Sequence, residues 1–509
     1  MRTASKPGPC LAGLDVGTTG CKAILFDRAG RILGCGFREY GVNCATPGMA
    51  EQDPEAVWGL CRKALRDAVE QARTRAITAL SISVQGDAII PLDGSLRPLH
   101  PAILGMDYRA EPQARMLAQR HGGFALFKVT GMRPHPMNSA VKAVWLRQHA
   151  PRIFEKTRRI VTYAEFIMTQ LGGEPVIDHT MASRTMAFDL KKKAWSDDVL
   201  RRLELDAALF SRAVPSGTLA GVMNPRLARE LGIAPGTRLV TGGHDQACAA
   251  IGSGAIREGL GVISTGTAQV LSTALNGPAL SRRMFDSYYP CYHHAAEGKY
   301  LTFALLHVGG ILLRWYRENF AQAEMAQAAR RGCSVYQLID RAMPAGPSPL
   351  FVVPHWNGSG TPRCDLQAKG AILGLTMAST RHDIAKAILE GLTFELLENI
   401  SALRACGIQI NELLAAGGGA KSELWLQLKA DILNRPIRTL RCAEAACLGA
   451  AMLAGVSSGV YSSLDDAVRC TVATQREFQP RPELVERYAE RFATYRKLYP
   501  ALRPLNATL

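Results

Sequence analysis

The 509-residue sequence has no apolar run long enough to cross a bilayer, and Met1–Cys10 lacks the apolar core of a secretory signal. Its thirteen cysteines include no Cys-x-x-Cys pair, and the nearest two, Cys442 and Cys447, lack zinc-site spacing. Reduced thiols and a cytoplasmic location are therefore expected, with no membrane partner. Acidic residues are the scarcer charge, 44 against 60 Lys and Arg, giving a formal net charge of +16. The basic residues are spread along the chain in short clusters such as Arg158–Arg159 and Lys191–Lys193. No recognition helix, zinc finger or aromatic RNA-binding pattern accompanies them, so nucleic acid is not an expected partner. A positive field favours small anions such as nucleotides, or is simply solvated surface. At 47% apolar and 20% charged residues the chain reads as globular, with more than one domain.

What is present centres on Leu11–Phe26, LAGLDVGTTGCKAILF. Two apolar β-like runs flank a Gly/Thr turn in which Gly17 and Gly20 permit a sharp reversal. Such a turn exposes backbone N–H groups, the Thr18 and Thr19 hydroxyls add donors, and Asp15 would face a divalent cation riding on bound phosphates. An ordinary hairpin with a polar turn fits the same residues. A third β-like run, Arg31–Tyr40, follows. Asp53-Pro54 then starts a helix through about Gln71, with Val57, Cys61, Ala64, Leu65 and Ala68 on one face. Ile77–Val84 is a strand ending at Gln85-Gly86-Asp87, and Ala88–Leu92 is a short run after it. Val141–His149 and Arg158–Leu171 read as helices, and the polar, turn-rich Pro175–Trp195 as a surface excursion.

The opening pattern then repeats. Arg238–Thr241 runs into Gly242-Gly243-His244-Asp245-Gln246, and Gly261–Ser264 enters the turn Thr265-Gly266-Thr267 before the strand Ala268–Thr273. Asp383–Leu403 is an amphipathic helix. Leu413–Ala416 delivers the glycines 417–419 to a helix over Ser422–Leu433, and Ala443–Leu453 is a helix rich in small residues. The order of elements is that of an α/β protein, and two similar halves imply internal duplication around a ligand cleft.

The ordered set DVGTTGCK (Asp15–Lys22), EQDP (Glu51–Pro54), GGHDQA (Gly242–Ala247), STGT (Ser264–Thr267), GSGTP (Gly358–Pro362) and GGGAKSELWLQLKADIL (Gly417–Leu433) resembles the FGGY carbohydrate kinases. Their superfamily also holds actin, hexokinase and the 70-kDa chaperones. The resemblance implies two duplicated actin-like, ribonuclease H-like domains with a cleft between them. The sugar side would span residues 1–243, the nucleotide side 244–475 and a helical extension 476–509. It further implies ATP and Mg2+ as cofactors, and a sugar, sugar acid or polyol as acceptor, a xylulose-type ketose foremost. A homodimer is possible.

Carried over position by position, the resemblance makes Asp245 the general base, although the residue also reads as a helix cap. Thr18, Thr19, Lys22 and Thr267 would contact phosphates, and Asp15 would organise the metal. Gly310, Arg314, Gly418 and Ser422 would contact nucleotide. Gln85, Asp87, Asp107, Arg109 and Gln246 would face the acceptor, with Met137 a further candidate by position. Val84-Gln85-Gly86-Asp87 carries neither the glutamine-methionine-histidine typical of xylulose kinases nor the arginine-glutamate of glycerol kinases, so gluconate, glycerol-like and signalling-diol kinases stay open. The GSGTP loop is either a moving edge of the cleft or a plain turn. A chaperone-like ATPase with no acceptor is the reading from another class.

Overall fold

The structure is a computed structural model and describes residues 8–506 and 508. Strands β1 (Leu11–Val16), β2 (Gly20–Phe26) and β3 (Ile32–Glu39) form an antiparallel meander. Period-2 alternation splits β1 between two helical covers. Ala12, Leu14 and Val16 join the core with Val57, Cys61 and Leu65 of helix α1 (Pro54–Ala72), while Leu11 joins a separate core on the opposite face. Asp53 caps α1 as expected, accepting from Glu55 N and Ala56 N ahead of Pro54. Strand β4 (Ala79–Val84) then pairs parallel to β1.

Two segments between β4 and the next sheet strands differ from the sequence reading. Arg158–Leu171 is not one helix. Arg159–Val161 is a strand, and helix α3 (Tyr163–Leu171) begins only after a capping box at Thr162 and Glu165; helix α2 (Ser139–His149) precedes both. The expected surface excursion at 175–195 is instead largely internal. Asp178 caps α4 (His179–Arg184), and Thr180 through Arg184 are all buried. Its polar residues serve internal bonds rather than solvent: Asp178 Oδ1 accepts from Thr180 N, and Thr180 Oγ1 accepts from His244 N at 2.7 Å. Strands β5 (Leu219–Val222) and β6 (Arg238–His244) complete a six-stranded sheet of order β5-β6-β4-β1-β2-β3, with β6 parallel to β4.

Helix α5 (Asp245–Gly252) leads into the second sheet. There β7 (Gly259–Thr265) and β8 (Gln269–Leu275) are antiparallel, followed by β9 (Tyr292–His293), β10 (Tyr300–Leu306), helix α6 (Gly310–Phe320) and helix α7 (Arg381–Ala405). Strand β11 (Ile410–Gly417), helix α8 (Glu423–Leu433), strand β12 (Ile437–Leu440), helix α9 (Ala445–Ser457), strand β13 (Thr474–Phe478) and helix α10 (Pro482–Tyr495) complete it. The seven-stranded order is β9-β10-β8-β7-β11-β12-β13. An antiparallel hairpin with a parallel strand beside its first member therefore occurs in both halves.

Helix α9 lies across β1, β4 and β6 of the first sheet and against α5. Glycine makes that approach possible. A Cβ on Gly13 would sit 2.0 Å from Cys447 O, and one on Gly449 would sit 1.9 Å from Cys248 O. No described helix is long and apolar enough to cross a membrane.

Candidate active site

The parallel strands β1, β4 and β6 end level with one another, with Val16 opposite Val84 and Val84 opposite His244. The residues just beyond them, Gly17–Thr19, Gln85–Asp87 and Asp245, therefore gather at one edge of the sheet. Carboxyl ends of parallel strands are where α/β sheets bind ligands. Gln85 braces this edge: its Oε1 accepts from Thr18 Oγ1 at 3.1 Å, and its Nε2 donates to Gln52 Oε1 at 3.1 Å. Neither Gly17 nor Gly20 adopts positive φ. Gly20 is required for another reason, since a Cβ there would come 2.9 Å from Arg38 O on β3.

Asp245 is the first residue of α5, and His244 is the N-cap. Its Oδ1 accepts from Gln246 N at 2.6 Å, but the expected cap position falls one residue earlier, on His244, whose side chain makes no capping bond. His244 Nε2 lies 3.1 Å from the same oxygen, and 34% of the Asp245 side-chain surface remains open. Placement deep in the protein pushes the Asp245 pKa up to about 7, with the charges of Asp15 and Asp87 adding to the rise and the Gln246 N–H and Arg184 opposing it. Asp15 is raised to about 6, again chiefly by burial, against a 2.6 Å bond donated by Ser83 Oγ and the charge of Lys22. A carboxylate near neutrality is suited to general-base work. Lys22, expected on phosphate, holds Glu444 Oε2 at 2.7 Å.

Asp87 has φ +68°. Its carboxylate accepts from Arg184 Nε at 3.0 Å and Nη2 at 2.5 Å, and its carbonyl from Lys142 Nζ at 2.8 Å and Ser139 Oγ at 3.2 Å. Lys142 Nζ also donates to the Met137 carbonyl at 2.6 Å. Arg184 and Lys142 were not anticipated: residues 175–195 read as a surface excursion, and Lys142 falls in a helix to which the sequence assigns no site role. The usable signal was the apolar residues, Met181, Ala182, Met186 and Phe188, flanking Arg184. Asp107 and Arg109 are spent within the fold: Arg109 reaches Asp107 Oδ2 at 2.8 Å and Glu51 Oε1 at 2.7 Å and lies over the Trp145 ring, while Asp107 accepts from Ala50 N.

In the second half, Thr265 on β7 lies opposite Gly417 on β11, which puts the Gly266-Thr267 turn beside the glycines 417–419. Gly310 N donates to Gly266 O at 2.8 Å, and a Cβ on Gly417 would meet Thr265 O at 2.6 Å. The start of α6 and the glycine run thus pack bare backbone around this turn, bringing Thr267, Gly310 and Gly418 together. Ser422 caps α8, accepting from Trp425 N and donating to Asp340 Oδ2 at 2.7 Å. Arg314 is exposed and paired with Glu318. Sequence reasoning missed Lys429, which is buried 3.2 Å from Thr265 Oγ1 and 3.9 Å over the Trp425 ring. Burial pushes its pKa down to about 7. In the GSGTP loop Gly358–Thr361 are buried, and Thr361 N donates to Leu305 O on β10 at 2.9 Å, so the loop packs on the second half.

The first sheet and the second meet at Arg184, whose guanidinium lies 5.4 Å from the Tyr292 ring centroid and 5.9 Å from that of Phe303. His244 packs edge-on against Tyr292. Among the described residues no three His, Cys, Asp or Glu side chains form a metal-binding group.

Residues 10–252 match the FGGY family of carbohydrate kinases, N-terminal domain, and residues 261–458 match its C-terminal domain. A xylulose kinase of Bacillus subtilis is 28% identical over 499 residues, 98% of each chain. A gluconokinase of the same organism is 29% identical over 465 residues, 89% of each. The crystal structure of a xylulose kinase from Brucella ovis aligns with a TM-score of 0.87 at 29% identity, covering 97% of this chain and all of that one. The two sheet-centred halves are thus the paired actin-like domains expected from the sequence.

Proposed function

This chain belongs to the FGGY family of carbohydrate kinases, and we propose that it transfers the terminal phosphoryl group of Mg2+-bound ATP to a hydroxyl of a small ketose or related polyol, with Asp245 as general base. The observation that carries the reading is Asp245 itself: a carboxylate at the head of α5, beside the strand-end turn of the first half, held near neutrality by Asp15, Asp87 and burial. Asp245 takes the proton of the acceptor hydroxyl as its oxygen bonds to the γ-phosphorus. The bond to the β–γ bridging oxygen breaks, and ADP leaves with that electron pair.

Asp15 and Asp245 supply a carboxylate pair in which the charge of Asp15 opposes ionisation of Asp245, an arrangement that accommodates a divalent cation carried in on phosphates. Bound Mg2+ neutralises charge on the phosphates, and Asp15 is the residue that would hold it. The N–H groups of Thr18 and Thr19 and the Thr19 hydroxyl cradle outer phosphates from one side, and Gly266-Thr267 from the other, the Thr18 hydroxyl being taken by Gln85. Bare backbone at Gly310 and Gly418, with Ser422 fixing the start of α8, leaves room for the adenosine. A xylulose-type acceptor is favoured by the relatives, and gluconate is the competing choice.

Asp245→Ala tests the reading. ADP release in the presence of acceptor falls by about 10^3-fold or more while MgATP still binds. Near-normal turnover would overturn it. ATP hydrolysis indifferent to every sugar and polyol would instead favour the chaperone-like alternative.

A further inference from the structure

Resting on the kinase reading, we propose that the buried Asp87–Arg184 ion pair is a charge filter that restricts the acceptor to uncharged polyhydroxy compounds and rejects sugar acids. The pair adjoins the base. A Cβ on Gly86 would lie 2.6 Å from His244 Nε2 and 2.9 Å from Arg184 Nε, and that same His244 nitrogen is 3.1 Å from Asp245. An acceptor presenting its hydroxyl to Asp245 therefore lies within reach of both Asp87 and Arg184.

The cations on this side are already committed. Arg184 makes a two-point contact with Asp87, Lys142 donates to the carbonyls of Asp87 and Met137, and Arg109 is held by Asp107 and Glu51. Asp15 and Asp245 have no Lys or Arg within ion-pair distance among the described residues. An entering carboxylate thus meets the like charge of Asp245 while Arg184, Lys142 and Arg109 are engaged elsewhere, a placement that interfaces use to exclude ligands. Release of Arg184 by rotation of Asp87 would break both bonds of their buried two-point contact. The residue sits at φ +68° with its carbonyl tied to Lys142 and Ser139.

Neutral hydroxyls carry no like-charge penalty beside Asp245. Arg184 Nη1, His244 Nδ1 and Tyr292 Oη are buried without a partner among the described residues. One is a donor, one a ring nitrogen and one a hydroxyl, and a polyol can both donate and accept.

The test uses xylitol and xylonate, equal in length and differing by the carboxylate, as competitive inhibitors, together with kcat/KM for D-xylulose and D-gluconate. The wild-type enzyme is expected to bind xylitol at least about tenfold more tightly than xylonate and to prefer the ketose by about 10^2-fold. Asp87→Asn, which leaves Arg184 unpaired, raises the gluconate-to-xylulose ratio at least about tenfold, and Asp87→Asn/Arg184→Met removes the gain. Tighter binding of xylonate, a wild-type preference for gluconate, or an unchanged ratio in Asp87→Asn overturns the filter alone. Turnover with no acceptor at all contradicts the kinase reading and the filter together. Should Asp87→Asn not fold, the wild-type xylitol-to-xylonate ratio decides.

Discussion

The two halves of the molecule use one sheet pattern and decorate it oppositely. In each, a hairpin turns at Gly-Thr and a parallel strand flanks its first member. The first hairpin carries Asp15 two residues before its turn glycine, where the second carries Ser264. The first turn is surrounded by carboxylates at 15, 87 and 245, whereas the second has buried Lys429 behind it, 3.2 Å from Thr265 Oγ1. Duplication thus supplies the scaffold twice, and substitution at a few strand-end positions divides the labour. On the proposed mechanism, one half places acids where a proton and a metal are handled, and the other places backbone and a cation beside the phosphates.

The sharpest way to break this comparison is to exchange equivalent positions. Asp15→Asn is expected to lower kcat by about 10^2-fold, while Ser264→Ala stays within about threefold. Equal losses in steady-state assays would abolish the division of labour. Lys429→Met follows: the KM for MgATP rises by about tenfold and the acceptor KM is unchanged, with thermal stability maintained or increased because an ammonium buried without an acid is costly. A selective rise in acceptor KM would place Lys429 on the wrong side.

The smallest effect concerns pH. The Asp245 pKa is raised from 3.8 to about 7, so the folded state binds more protons than the unfolded state between those values, and stability falls as pH rises through that window. Asp245→Asn removes this penalty. Its gain in melting temperature over wild type should grow from about pH 4 to pH 7 and then level off, whereas a gain independent of pH would contradict the assigned environment. The same group gives wild-type kcat/KM an acid limb that falls below about pH 7.

Local rules carried much of this architecture. The Asp53-Pro54 cap, the period of α1 and both glycine-turn hairpins follow from short-range chemistry, and each is where the sequence places it. What escaped were polar residues whose partners are remote in sequence. Arg184 meets Asp87 across 97 residues, Lys429 meets Thr265 across 164, and Lys22 meets Glu444 across 422. Burial of such groups is decided by tertiary pairing, which neither periodicity nor composition records. The segment around α4 shows the cost: its Asp, Thr and Ser residues read as solvent-facing because their internal hydrogen-bond partners lie within the segment or on β6.

Amide hydrogen exchange with and without the non-hydrolysable nucleotide Mg·AMPPNP tests the central claim most directly. One polyphosphate held between the halves predicts that the turn at 17–20 and the turn at 266–268 gain protection together, along with 417–419. Protection at only one of the two turns, at saturating nucleotide, would contradict it.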